Sequence, residues 1–201
     1  METKKILMNS DFSRKEKTLV LIKPDGVSRG LIGKIISRFE DTGLKIIGMK
    51  MTWADKKQAL KHYPLDEEWA KNVFEKTKKV YDKEGKKLDY KDHMEMGKTI
   101  QSWLTSFLSE GPIISLIIEG PHAVELVRKI VGSTEPRQAS PGTIRGDFAS
   151  IESYLLADDK KRVLRNLIHA SDTIDNAKKE IKVWFKDEEI YNYQKELDKH
   201  F

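Results

Sequence analysis

No cysteine occurs in the 201 residues of this chain, which excludes disulfides, thiolate metal sites and cysteine nucleophiles. Long apolar runs are missing as well: none approaches the ~18 residues that span a bilayer, so no membrane association is expected. The stretch from Met1 to Lys17 is charged and lacks the apolar block of a secretory signal, so a cytoplasmic protein is expected. Internal repeats and low-complexity tracts are absent. A strong excess of one charge is absent too, since 37 basic and 32 acidic residues leave a formal net charge of +5. A mildly basic surface suits polyanions, nucleotides as well as nucleic acid. The lysines are interleaved with acids rather than clustered, so nucleic-acid binding is not expected as a main role.

The chain is long enough for one sizeable core with insertions, and a single domain over residues 1–201 is expected, with 1–16 as an N-terminal arm. Thr18 to Ile22 is a short apolar, partly β-branched run that reads as a buried strand, and Lys23-Pro24-Asp25-Gly26 ends it with turn chemistry. A helix is expected from about Gly30 to Thr42, a second strand from Leu44 to Trp53, and a short helix from Asp55 to His62, stopped at Tyr63-Pro64. Gly33-Lys34 does not make a phosphate-binding P-loop, because Ser28 and Ile35 stand where that motif needs glycine and a hydroxyl. Residues 66–97 hold eight lysines against nine acidic residues with a thin apolar face, and read as a helical insertion laid on the surface. Ile100, Trp103, Leu104, Phe107 and Leu108 give Thr99 to Leu108 a wider apolar stripe, that of a core helix.

Pro112 to Glu119 reads as a buried strand, and the helix after Gly120-Pro121 ends at Gly132. Residues 133–159 read as a long irregular stretch in which Arg137, Arg145 and spaced glycines favour anion binding, with 150–162 as a second insertion. Val163 to Ile168 is expected as the final strand, delivering His169 to a helix start at Ser171-Asp172-Thr173. The last core helix runs from Thr173 to Phe185. A tail over 186–201 shows helical spacing of Ile190, Tyr193, Leu197 and Phe201, suited to docking on its own domain or on a neighbouring subunit. About four strands and several helices imply an α+β sandwich with a small sheet covered on one face.

A strand-end histidine near cations can support phosphoryl transfer. That chemistry needs phosphate charge neutralised and a nucleophile held in line, and a neutral imidazole is a competent nucleophile near neutral pH. Its second nitrogen needs a partner. Glu180 is a candidate, about two turns into the last helix, where local spacing alone does not establish contact. Lys23, Arg128, Arg137 and Arg145 are the cations near turns or helix ends.

Four blocks in order, TLVLIKPDGVSRGLIG from Thr18, GPIISLIIEG from Gly111, SPGTIRGDF from Ser140 and NLIHASDT from Asn166, resemble nucleoside diphosphate kinase. The resemblance covers roughly residues 17–64, 98–149 and 163–185. It implies a ferredoxin-like α/β sandwich with a four-stranded antiparallel sheet covered by helices. It implies ping-pong exchange, in which His169 takes the γ-phosphate of a nucleoside triphosphate and passes it to a nucleoside diphosphate. Lys23 would then touch the transferring phosphate and the ribose, and Tyr63 would line the site. Arg128, Thr134 and Arg145 would hold the phosphates, Asn166 would bond the ribose 3′-hydroxyl, and Ser171 and Glu180 would orient the imidazole. Mg²⁺ would bridge the phosphates, with Asp172 reaching it through water. A homo-oligomer, with a hexamer favoured, would be built in part by the Pro141-Gly142 loop.

This chain departs from the family pattern at several points. Ile100 falls in the slot where an aromatic residue usually stacks on the base, while Leu104 supplies the second apolar contact as expected. An aliphatic clamp weakens stacking by about 1 kcal/mol or more unless Trp103 or an aromatic of the insertion replaces it. Glu135 adds a negative charge near the phosphate region unless it points to solvent, and Ala170 replaces a glycine. The alternative is a nucleotide-binding or regulatory relative of low turnover, against which the intact set of His169, Lys23, Arg128, Arg145, Asn166 and Glu180 argues.

Overall fold

Alternate residues of the first strand face two different cores, and this organises the sheet. A computed structural model of the chain describes residues 15–83 and 85–196. Strands β1 (Lys15–Ile22), β2 (Lys45–Thr52), β3 (Ile113–Pro121) and β4 (Ile168–Ala170) form one sheet in the order β2-β3-β1-β4. Every pairing is antiparallel. Val20, Ile22, Leu116 and Ile118 point to one face, and Leu19, Leu21 and Ile117 point to the other. Side chains of a strand alternate faces, so the unbroken apolar run Leu19 to Ile22 requires cover on both sides. The expectation of a sheet covered on one face is therefore corrected.

The helices supply that cover. On the first face lie α2 (Ile32–Glu40), with Ile35 and Phe39 inward, and α6 (Ala123–Val131), with Val127 and Val131 inward. Together with the four strands they make the ferredoxin-like plan, β1-α2-β2-β3-α6-β4. On the second face lie α3 (Lys56–His62), the end of α5 (His93–Leu108) and α9 (Ile174–Trp184), which contribute Ala59, Leu108, Ile181 and Trp184. A short helix α1 (Pro24–Ser28) stands where only a turn is expected after β1. The helix α4 (Glu67–Lys83) lies against α5 with only Ala70 buried, as the thin apolar face of residues 66–97 implies.

Several boundaries differ from expectation for identifiable reasons. α5 starts at His93 rather than Thr99, because the Asp92 carboxylate accepts from the Glu95 N–H at 2.8 Å and caps the helix early. Residues 133–159 are not irregular throughout. Thr143 caps α7 (Ile144–Phe148) and Ser153 caps α8 (Tyr154–Asp159), each accepting a backbone N–H of the first turn.

The final strand is only Ile168–Ala170, with His169 at its centre opposite Leu21. Ahead of it the chain folds into a γ-turn, with the Ile168 N–H bonded to the Asn166 carbonyl at 2.8 Å and Leu167 at φ +67°. The Asp25 and Arg145 side chains and the Lys23 backbone N–H, just past β1, bind that backbone. Over its described residues 186–196 the tail has no α-helix, only a 3-10 turn at Asp187–Glu189 and a single 3-10 residue at Glu196. It runs along β2, where Tyr191 N–H donates to the Ile47 carbonyl at 2.7 Å and the Tyr193 hydroxyl to the Ile46 carbonyl at 2.7 Å. It thus docks on its own sheet. Residues 1–14 of the expected arm, with Leu197 and Phe201 of the tail, lie outside the described residues; Lys15 and Glu16 already belong to β1.

Candidate active site

His169 reaches out of β4 with its side chain 20% exposed. Its Nε2 lies 2.9 Å from Glu180 Oε2 on α9, eleven residues along the chain. A carboxylate accepts and does not donate, so this nitrogen carries the proton and Nδ1 keeps its lone pair. Ser171, fully buried, donates its hydroxyl to the same Glu180 oxygen at 2.5 Å and accepts the Leu19 N–H at 3.2 Å. Glu180 is thus anchored through Ser171 to β1, and the imidazole is anchored through Glu180.

Lys23 follows β1 directly and is 4% exposed. Its ammonium donates to Asn166 Oδ1 and stands 5.3 Å above the Phe107 ring. Burial lowers its pKa to about 8; Asp25 counters this, and Arg145 and Arg165 add to it. The Asn166 amide in turn donates to the Thr134 carbonyl at 2.8 Å. Arg145 is buried and uses three N–H groups on the carbonyls of Asn166, Gly132 and Ile168 at 3.3, 3.0 and 2.7 Å. A guanidinium has five donors, so two remain. Burial, followed by the nearby charge of Arg128, lowers the Arg145 pKa to about 10. Cations held together this way repel one another, and an anion between them relieves that cost.

The strained turn before β4 is fixed by the same residues. A bulky residue at positive φ costs about 1–3 kcal/mol. Here Asp25 Oδ2 accepts the Leu167 N–H at 3.0 Å, and the Leu167 carbonyl accepts the Lys23 N–H at 2.8 Å. The backbone that aims His169 is therefore bound to the end of β1 and to Arg145. Tyr63 closes α3 with its ring 6.5 Å from that of His169, and burial, then Glu180, raises its hydroxyl pKa above the usual range.

Such a cation-rimmed imidazole is matched in sequence as well as in chemistry. The profile of the family described as nucleoside diphosphate kinase matches residues 16–85 and 75–190. The chain belongs to the nucleoside diphosphate kinase family. The nucleoside diphosphate kinase of Pyrobaculum aerophilum is 46% identical over 179 residues, covering 87% of this chain and 97% of that protein. The crystal structure of an NDP kinase from the same organism superposes with a TM-score of 0.85 at 43% identity, covering 89% of this chain and all of that one. A transition-state mimic of the Borrelia burgdorferi nucleoside-diphosphate kinase, with vanadate and ADP bound, superposes at 0.76 with 37% identity, covering 92% and 96%. Membership makes this chain an enzyme, a nucleotide phosphotransferase.

Of the remaining expected residues, Thr134 touches Asn166 through its carbonyl, Arg128 acts electrostatically on Arg145, and Asp172 feels the charges of Arg128 and His169. Arg128 is exposed in the last turn of α6, and Thr134 is exposed just beyond α6. Ile100 and Leu104 lie one turn apart on α5, both half-buried. Gln101 of the same helix donates to the Tyr63 carbonyl at 2.7 Å, tying α5 to the end of α3. Asp172 is exposed and accepts from the Asn176 amide at 2.7 Å. Against the penalty of partial burial, that bond, its own backbone N–H and the charges of Arg128 and His169 hold its carboxyl below the usual range. Glu135 does not point to solvent. It is 2% exposed and accepts from the Gln138 amide and the Tyr154 N–H, so its charge is used to hold the second inserted stretch.

Two groups escape a reading of the sequence. Asp25 reads as turn chemistry, although its carboxylate pins the backbone ahead of His169. His62 reads as the end of a short helix, yet its ring lies 4.5 Å from that of His169 and nearly perpendicular to it. Trp184 donates its indole N–H to His62 Nδ1 at 3.3 Å, and the neutral ring therefore carries its proton on Nε2. Burial, then His169 and Lys23, holds its pKa well below the usual value. The pair His-Tyr just ahead of a helix-ending proline is the one local signal that both rings face the same place.

Proposed function

We propose that this chain moves the γ-phosphate of a nucleoside triphosphate, typically ATP, to a nucleoside diphosphate through a phosphohistidine at His169. The observation that carries the reading is the bond between His169 Nε2 and Glu180, which leaves the Nδ1 lone pair as the nucleophile. Nδ1 attacks the γ-phosphorus, the bond to the β-bridging oxygen breaks, and the nucleoside diphosphate leaves with that electron pair. A second diphosphate reverses the sequence, its terminal oxygen displacing Nδ1. Glu180 and Ser171 hold the ring and offset the positive charge it gains. Lys23, Arg128, Arg145 and Thr134 bind the phosphates, Asn166 and Lys23 meet the ribose, and Tyr63 lines the site.

The base rests on Ile100 and Leu104, an apolar contact that reads shape more than base edges and so tolerates several bases. Mg²⁺ suits the donor chemistry, since Asp172 offers one hard carboxylate at the phosphate side, and a cation of that kind takes one or two carboxylates plus substrate phosphates. When bound it would neutralise phosphate charge there. His62, His169 and Glu180 offer ligand atoms within 4.8 Å of one another, but two are nitrogens, a softer set suited to other metals. The reading includes a cytoplasmic homo-oligomer, with a hexamer favoured. Its support is the apolar surface at Met49, Met51 and Trp53, 58%, 59% and 65% exposed on and just past the edge strand β2. Among the described residues no helix is long and apolar enough to cross a membrane.

Initial rates with both nucleotides varied should give parallel reciprocal lines, and His169→Ala should abolish exchange while Mg·ADP still binds. Intersecting lines, or turnover in His169→Ala, would refute the covalent route.

A further inference from the structure

The helices α4 and α8 stand outside both cores. Ala70 is the one buried residue of α4, and Ala157 is the one buried residue of α8. They nevertheless meet: the Tyr81 hydroxyl of α4 donates to Asp158 Oδ2 of α8 at 2.8 Å, in a half-buried position. Burial raises the Asp158 carboxyl above its usual range and, with the bond to Asp158, raises the Tyr81 hydroxyl as well. The contact is short of water, where a hydrogen bond is electrostatically stronger than at the open surface. Nearby, Lys86 and Asp159 make a weaker, exposed contact at 3.4 Å.

Each helix is fastened to a different wall of the site. α4 seats on α5 at Ala70 and Gly97, so closely that a Cβ on Gly97 would stand 3.0 Å from that of Ala70. The same α5 carries Ile100, Leu104 and the Phe107 ring beneath Lys23. α8 is fastened on the phosphate side. Glu152 before it and Arg162 after it form a two-pronged ion pair at 2.8 and 2.9 Å that pins both of its ends. Glu135 accepts the Tyr154 N–H at the start of α8, and the adjacent Thr134 carbonyl accepts from Asn166, which bonds Lys23.

We propose that Tyr81 and Asp158 are a positioning pair that ties the α5 wall to the segment 133–166 and sets how tightly the site holds a nucleotide. The identity of the ligand rests on the kinase reading. A wall already held in place loses less freedom when ligand arrives. The tie thereby compensates for Ile100, whose side chain stacks on a base less well than an aromatic ring does.

The test uses the full chain with Tyr81→Phe, Asp158→Ala, their combination, and Asp158→Asn, which keeps an acceptor for the tyrosine. The Mg·ADP dissociation constant is read by calorimetry, alongside KM, kcat and the unfolding temperature. Tyr81→Phe and Asp158→Ala should each raise the dissociation constant and KM about two- to tenfold. The double variant should be no worse than the weaker single one, Asp158→Asn should stay close to the unaltered chain, and kcat should hold throughout. A folded Tyr81→Phe with unaltered affinity, additive losses in the double variant, or a loss confined to kcat would overturn the proposal. Tyr81→Phe removes a single oxygen and carries the test even if Asp158→Ala does not fold. Calorimetry needs no turnover, so a chain that binds Mg·ADP without ever forming phosphohistidine would end the kinase reading and still report on the tie.

Discussion

Replacing Glu180 with glutamine keeps the side chain's shape and removes its charge. In the resting protein this carboxylate accepts two bonds on one oxygen, from His169 Nε2 at 2.9 Å and from Ser171 at 2.5 Å. The bond to His169 gains strength as phosphorylation makes the ring cationic. A charge-assisted hydrogen bond is worth about 1.5–3 kcal/mol net, and a tenfold change in rate corresponds to about 1.36 kcal/mol. Glu180→Gln should therefore slow phosphorylation of His169 by about 10- to 100-fold. The assay is a single-turnover quench with Mg·ATP, following the phosphorylated fraction by intact mass. Ser171→Ala removes the second bond and also strips the buried Leu19 N–H of its partner, so it should cost stability as well as rate. Because both act through the same oxygen, the double variant should lose less than the product of the single effects. A folded Glu180→Gln phosphorylated at the original rate, or strictly multiplicative losses, would refute the argument.

Other predictions follow from buried groups. Lys23 titrates near 8 in the folded chain against 10.5 for a free lysine, so nucleotide affinity should fall as pH rises through about 8, measured as the dissociation constant of Mg·ADP. Its linkage to stability has the opposite sense: between those two values the unfolded chain binds the extra proton, so Lys23 favours folding increasingly as pH rises there. His62, whose folded pKa lies below 6.5, should contribute full stability above that pH and lose it as the solution is acidified, visible in urea midpoints. His62→Phe keeps a ring but leaves the buried Trp184 N–H without its acceptor, and should cost about 1–3 kcal/mol of unfolding free energy.

Much of the fold was legible because its strands and helices are locally strong. Leu19 to Ile22 and Ile113 to Ile118 could be little else than buried strands. Ile35 and Phe39, and Val127 and Val131, mark helices against the sheet. What local pattern could not carry was made by side chains reaching across the chain. Val163 to Leu167 looks like a strand, but Asp25, Lys23 and Arg145 bind its backbone in a γ-turn. The tail has helical spacing at Ile190 and Tyr193, yet the exposed edge of β2 offers it backbone partners instead. At the candidate site, His169, Lys23, Arg145 and Asn166 stand out as chemistry at strand ends and turns. His62 and Asp25 do not, because their importance comes from neighbours more than a hundred residues away. Glu135 was visible as a charge, but its direction depended on the fold of the second inserted stretch.

The measurement closest to the central claim is incubation with Mg·ATP alone, followed by intact mass and phosphorus NMR of the unfolded protein. One added phosphate on Nδ1 of His169, absent from His169→Ala and removed by a nucleoside diphosphate, is the predicted result. Phosphate on Nε2 or on any other residue would contradict it, and none at all while ATP binds would contradict it and point to a relative that binds nucleotides without turning them over.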